Sequence, residues 1–206
     1  MTSPGVGIMG GTFDPIHYGH LLAAEAVRRR LGLDEVQFIP TGQPWQKPVG
    51  VGAVEDRYRM TVLATASNAA FSVSRIELDQ PGPTYTADTL QRLRAGIPRE
   101  TRLYLILGAD TALHLPSWKD PGRVLALADL VVVSRPGHDL GGLQAALGEI
   151  GPARPHVVPI PDLAISSTDL RARVAAGEPI RYLTPDPVVD YIAERGLYRD
   201  AKPAGA

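Results

Sequence analysis

Two histidines three positions apart, His17 and His20, close the run "MGGTFDPIHYGH", which opens with the glycines Gly10 and Gly11. Glycines at a strand end let backbone approach a ligand closely, and a helix that follows presents unpaired N–H groups where anions bind well. A Gly-rich turn holding no ligand accounts for the two glycines equally well. The histidine pair favours a ligand. With a helix starting near Tyr18, the residues His20, Ala24, Val27 and Leu31 share one face, so His20 points inward at the first turn while His17 precedes it in the loop. Both imidazoles can then reach a phosphate in the crevice at the carboxyl edge of an α/β sheet. Arg28, Arg29 and Arg30 fall mostly on the other faces and read as solvated.

A second run, "ISSTDLRARV", places Ser166, Ser167 and Thr168 just before a helix. Asp169 lies three residues after Ser166, so a capping box explains much of it. Arg171, however, lies four positions after Ser167 and shares its face, which lets hydroxyls, helix N–H groups and a guanidinium converge on one phosphate tail. Three further residues fall at predicted carboxyl ends of strands or starts of helices: Thr86 in "GPTYTADTL", Trp118 in "GADTALHLPSWKD" and Arg135 in "VVVSRPG".

The elements that must position these groups are legible as short apolar runs bounded by turn residues: "VGIM", "EVQFIP", "FSVSRIEL", "RLYLILG", "DLVVVSR" and "HVVPI". Several are continuous rather than alternating, as in parallel strands buried on both faces. Helical patterns lie between them at 18–31, 55–68, 86–95 and 121–128. The expected fold is therefore α/β, a doubly wound, mostly parallel sheet. The segment 166–199 offers two helices and no strand, a C-terminal helical subdomain within a single domain spanning 1–206. The Gly- and Pro-rich loop 41–54 is a candidate lid.

Composition narrows the function classes. The chain has 206 residues, 44% hydrophobic and 21% charged, enough for a real core. Lys and Arg number 21 against 22 Asp and Glu, a formal net charge of -1, so no global field draws in nucleic acid and any phosphate site is local. The absence of Cys removes disulfides, thiolate metal sites and a Cys nucleophile. With no basic leader and no apolar stretch near the roughly 18 residues a membrane helix needs, a cytoplasmic protein with no membrane partner is expected.

The run "GGTFDPIHYGH" resembles the signature of the nucleotidyltransferase superfamily, a Gly-rich turn with a paired-histidine motif, matched by Gly10, Gly11, Thr12, Phe13, His17, Gly19 and His20. The Ser/Thr-rich run followed by Arg171 resembles that superfamily's clamp for the β- and γ-phosphates. With "TYTADTL", "SWKD" and the ending "YIAERGLY", the chain is similar to the nicotinate-nucleotide adenylyltransferases from Gly5 to about Arg199. The resemblance implies a Rossmann-like fold and the transfer of AMP from ATP to nicotinate mononucleotide, giving deamido-NAD and pyrophosphate in NAD biosynthesis, with Mg²⁺ as cofactor. It further implies that His17 and His20 meet the α-phosphate and that Arg171, Ser166, Ser167 and Thr168 meet the leaving group. Gly108 and Asp110 would hold ribose, Phe13 and Ile165 would border adenine, and Arg135 would complete the ATP site. Gly10, Gly11 and Thr12 would also belong to the ATP site, and Thr12, Lys47, Tyr85, Thr86 and Trp118 would bind the mononucleotide.

A helix start at Thr86 should favour a carboxylate over an uncharged amide. Trp118 either stacks on the pyridine ring, a contact of about 1–3 kcal/mol for bases on aromatics, or is a half-buried core aromatic. "GQPWQKP" departs from the many relatives with His-Lys, having Gln46 and Lys47, and Trp45 is placed either to cover the site or to fill it when empty. Two other readings stay open: a phosphopantetheine adenylyltransferase-like enzyme of coenzyme A synthesis, and a nucleotide-binding regulator without chemistry. A homo-oligomer is compatible with the sequence.

Overall fold

The apolar runs become the strands of one sheet. The computed structural model describes residues 5–43, 51–134, 141–152 and 154–199. Its strands are β1 (Gly5–Gly11), β2 (Glu35–Pro40), β3 (Phe71–Val73), β4 (Arg102–Gly108), β5 (Asp129–Ser134) and β6 (His156–Pro159). Their order is β3-β2-β1-β4-β5-β6 and every pair is parallel, a doubly wound sheet as the alternation of strands and helices predicts. The helices are α1 (Tyr18–Leu31), α2 (Val54–Thr65), α3 (Thr86–Gly96), α4 (Ala109–Leu113), α5 (Pro121–Leu127), α6 (Gly141–Gly148), α7 (Ser167–Ala175) and α8 (Asp186–Arg195).

Strand β4 shows why its sequence is a continuous apolar run. Leu103, Leu105 and Leu107 point to one face, where they join Ile8, Leu90, Val124 and Leu143. Tyr104 and Ile106 point to the other, where they join Met9, Val27, Met60, Leu170 and Ile192. Burying each such side chain stabilises the fold by roughly 1.5–3 kcal/mol. Leu170 of α7 and Val188 and Ile192 of α8 share a core with Phe13 and Ile16, so the C-terminal helices pack on the loop of the first motif. Main-chain ties reinforce this: Tyr18 N–H donates to the Leu183 carbonyl at 3.1 Å and Thr184 Oγ1 to the Ile16 carbonyl at 2.8 Å.

Local signals explain several helix boundaries. Gly32 ends α1 in the left-handed region at φ 64, and Asp120 starts α5 by accepting from Arg123 N–H. Ser166 caps α7 by accepting from Asp169 N–H, while the Asp169 carboxylate turns to Arg173, so the capping box is only half formed. The run "FSVSRIEL" differs from its expected strand, since β3 ends at Val73. Beyond it Ser74 Oγ accepts from Ile76 N–H, Arg75 reaches Glu55 and Asp79, and Glu77 turns inward, side-chain bonds that compete with the ladder. Helices α4 and α6 lie outside the helical patterns of the sequence. Arg28 is half-buried rather than solvated, held with Arg29 on Glu25.

That last cluster carries a pH prediction. The Arg28 hydrogen bonds hold the Glu25 carboxyl down from 4.5 to about 2. A folded-state value below the unfolded one contributes stability that is present above about 4.5 and lost as pH falls through about 2. Melting temperatures of the unaltered protein should therefore fall more steeply across that window than those of Glu25→Gln; parallel curves would show that the cluster contributes no such linkage.

Candidate active site

The sheet itself opens the site. Strands β1 and β4 pair from Gly5–Arg102 to Ile8–Leu105 and then part, three residues short of their ends, while β1 continues beside β2 to Gly11. The order reverses between these two strands, so the crevice lies at the topological switch point, where open α/β sheets take ligands. A cleft of about 820 Å³ occupies it. Met9, Gly10 and Gly11 line one side, and Ile106, Leu107 and Gly108 line the other. A Cβ at Gly10 or Gly108 would meet no protein atom within 4 Å, so these two glycines border space large enough for a ligand to approach the main chain.

Both histidines line this cleft. His17 is the N-cap of α1 and is 5% exposed, and His20, at the third helical position, is half-buried. Their rings lie 3.8 Å apart, inclined by 30°. His17 N–H donates to His20 Nδ1 at 3.2 Å, which orients the second imidazole by the first turn of the helix. With Nδ1 accepting, neutral His20 carries its proton on Nε2, the donor a phosphate oxygen requires. The edge of His20 packs against Phe13, centroids 5.2 Å apart. Gly19 makes room for this stack, because a Cβ there would lie 3.0 Å from His17 Cε1 and Nδ1.

The second motif meets the first directly, although more than 140 residues separate them. Arg171 Nη1 donates to the Asp14 carbonyl at 2.7 Å and Nη2 to Thr168 Oγ1 at 3.4 Å. Ser167 Oγ donates to the Pro15 carbonyl at 2.9 Å. Ser166, Ser167, Thr168 and Arg171 all line the cleft with His17 and His20. The Ser167 hydroxyl here ties α7 to the loop of the first motif.

The remaining expected residues gather in the same cavity: Thr12, Ile165, Asp110, Tyr85, Thr86 and Trp118. Tyr85 is the N-cap of α3 and Thr86 its first residue, so a helix N-terminus does face the cleft. Trp118 is half-buried and packs on the core beneath α3 and α5, as the core reading has it, while also lining the cleft. Phe13 borders the cavity although the residue is only 2% exposed. Arg135, Lys47, Trp45 and Gln46 lie outside the described residues.

Sequence reasoning missed four groups here. Asp14 is 3% exposed; its Oδ1 accepts from Tyr198 Oη at 2.6 Å and its Oδ2 from Gly52 N–H at 3.0 Å. Burial, with Asp14 beside it, pushes the Tyr198 phenol well above its usual range. Glu77 lines the cleft and accepts from Thr84 and Thr89, each at 2.7 Å, bracing the start of α3. Lys119 Nζ sits 4.0 Å above the Tyr85 ring. Arg57 is 1% exposed, and burial pushes its guanidinium down. A signal for Arg57 existed: Arg57, Met60, Thr61 and Ala64 recur at helical spacing on one buried face.

A doubly wound parallel sheet thus carries paired imidazoles and a guanidinium around its switch-point cleft, a setting suited to a phosphate chain. In keeping with that, residues 8–173 match the family described as cytidylyltransferase-like. A probable nicotinate-nucleotide adenylyltransferase of Saccharopolyspora erythraea is 53% identical over 195 residues, 94% of this chain and 89% of the relative. One from Streptomyces coelicolor is 54% identical over 192 residues, 93% and 99% of the two chains. The chain belongs to the nicotinate-nucleotide adenylyltransferase family. In fold it is similar to Plasmodium falciparum nicotinic acid mononucleotide adenylyltransferase complexed with NaAD, with TM-score 0.77, 20% identity, and 95% and 98% of the chains covered.

Proposed function

We infer that the protein transfers AMP from ATP to nicotinate mononucleotide, forming deamido-NAD and releasing pyrophosphate. The observation that carries this reading is the meeting of His17, His20 and Arg171 on one cleft at the switch point, in a chain about half identical to relatives of that name. A phosphate oxygen of the mononucleotide attacks the α-phosphorus of ATP and forms the new P–O bond. The bond from that phosphorus to the bridging oxygen breaks, and its electron pair leaves with pyrophosphate. The attacking phosphate is already ionised at neutral pH, so the protein needs no nucleophile of its own. Its tasks are to hold two anions together and to stabilise charge moving onto the leaving group.

In this reading His17 and His20 donate to the α-phosphate and bridging oxygens, and Arg171 with Ser166, Ser167 and Thr168 takes the β- and γ-phosphates. Gly10, Gly11, Gly108 and Asp110 seat the nucleoside, and Ile165 with Phe13 borders adenine. Arg135 and Lys47 remain proposed contacts to ATP and to the mononucleotide. Thr12, Tyr85, Thr86 and Trp118 hold the mononucleotide, with Trp118 along the pyridine ring and the N-terminus of α3 at its carboxylate. Among the described residues no group of three His, Asp or Glu side chains is placed to hold a metal ion. Mg²⁺ bound with the triphosphate would supply charge neutralisation. The bonds from Ser167, Arg171, Tyr198 and Thr184 to the first loop favour one folding unit that includes 166–199. Among the described residues no helix is long and apolar enough to cross a membrane.

Pyrophosphate release from Mg-ATP is the test. Release that depends on nicotinate mononucleotide supports the reading, release that depends instead on phosphopantetheine supports that rival, and binding of ATP without release supports a regulator. Selectivity tests the role of α3: kcat/KM for the acid should exceed that for nicotinamide mononucleotide by roughly 10- to 100-fold, the range of one hydrogen bond to a charged group at about 1.5–3 kcal/mol. Equal values would remove the helix terminus from substrate choice.

A further inference from the structure

The Arg57 guanidinium spends its donors on four main-chain carbonyls from three segments. Nη1 donates to Thr12 at 2.8 Å, Nη2 to Thr41 at 2.7 Å and to Gly42 at 3.1 Å, and Nε to Gly52 at 3.0 Å. Thr41 and Gly42 begin the segment 41–54, and Gly52 lies near its end. One side chain thus ties both ends of that segment to Thr12 in the first motif. Thr12, Thr41 and Val51 line the cleft whereas Arg57 does not, so the carbonyl dipoles it gathers are held by a cation behind the wall.

Gly52 is fixed from two sides. Its carbonyl is held by Arg57 and its N–H donates to Asp14 Oδ2 at 3.0 Å. A Cβ at position 52 would lie 2.6 Å from Asp14 Oδ1, so only glycine sits there without displacing the carboxylate. Asp14 is itself committed, since Oδ1 accepts from Tyr198 and its carbonyl accepts from Arg171.

The other end of the segment abuts the wall that carries Tyr85 and Thr86. A Cβ at Gly42 would lie 2.6 Å from the Glu77 carbonyl, and Glu77 braces Thr84 and Thr89 on either side of the start of α3. Gln43 also bridges to Pro83. The carbonyls captured by Arg57 therefore set the distance between the first motif and the α3 side of the cleft.

We propose that Arg57, with Asp14 as its counterpart at Gly52, is a positioning residue for the acceptor mononucleotide, fixing the wall formed by Thr12, Thr41 and Val51. The proposal rests on the mononucleotide reading above. Arg57→Lys keeps the charge and loses the fork that reaches several carbonyls at once. Gly52→Ala attacks the same anchor from the loop side and leaves the guanidinium in place, so it carries the test if Arg57→Lys does not fold. Steady-state kinetics with each substrate varied, beside thermal melts, should show KM for nicotinate mononucleotide raised about tenfold or more in both variants, with KM for ATP within about twofold, because a small misplacement of a binding wall acts on the substrate it seats. A lowered melting temperature with both KM values unchanged would make Arg57 a strut of the fold and overturn the proposal, and so would equal increases for the two substrates. Failure of the unaltered enzyme to use nicotinate mononucleotide overturns instead the substrate reading, and the assignment of Arg57 to that substrate with it.

Discussion

With His20 in the proposed role, His20→Ala should lower kcat by about 10²–10³, the loss seen when one preorganised donor to a developing oxyanion is removed, while KM for ATP should move by no more than about threefold. The structure separates this from a folding defect. The same imidazole accepts from His17 N–H through Nδ1 at 3.2 Å, so its removal also weakens the start of α1. That cap is worth about 0.5–2 kcal/mol, against the roughly 2.7–4 kcal/mol that the rate loss represents, so the chemical effect exceeds the structural one. His20→Gln sharpens the comparison, because an amide can still accept at the third helical position without supplying an imidazole donor. Its melting temperature should recover toward that of the unaltered protein while kcat stays low. Unchanged turnover in the alanine variant would take His20 out of the reaction.

Arg171→Ala should cost a similar factor of about 10²–10³ in kcat if, as proposed, the guanidinium meets charge that appears on pyrophosphate as the bond breaks. The side chain is already held at the site, with Nη1 on the Asp14 carbonyl at 2.7 Å and Nη2 near Thr168. Arg171→Lys restores charge without the planar fork, so it should recover only part of the loss. The reverse reaction supplies the sharper reading. KM for pyrophosphate should rise by about tenfold or more in Arg171→Ala, with KM for deamido-NAD little changed, as expected for a group that contacts only the leaving fragment. A pyrophosphate KM equal to that of the unaltered enzyme would place Arg171 elsewhere in the mechanism.

The legible parts of this protein are those where a local rule and a tertiary demand coincide. β4 reads as a buried strand because Leu103 to Leu107 are apolar on both faces, and α1 begins at Tyr18 and ends before Gly32 as its motif and its glycine indicate. His17, His20 and Arg171 were found because their residue types are unusual beside glycines and hydroxyls, and the sheet then brought them to one cleft. β3 was overextended because "SRIEL" has strand-forming residues, yet Arg75 and Glu77 find side-chain partners that only the folded chain supplies. Asp14 and Arg57 went unassigned for the same reason. The helical spacing of Arg57 with Met60 and Ala64 marks its face as buried, but not its partners, which for Asp14 and Arg57 lie between 5 and 184 positions away.

A structure of the protein with Mg²⁺ and a non-hydrolysable ATP analogue asks whether both motifs grip one triphosphate. The arrangement described here requires imidazole nitrogens of His17 or His20 within about 3.2 Å of α-phosphate oxygens and Arg171 nitrogens equally close to the β- or γ-phosphate, with the purine near Ile165. A triphosphate bound outside the β1–β4 crevice, or one that leaves Arg171 wholly on the Asp14 carbonyl with no phosphate contact, would contradict it.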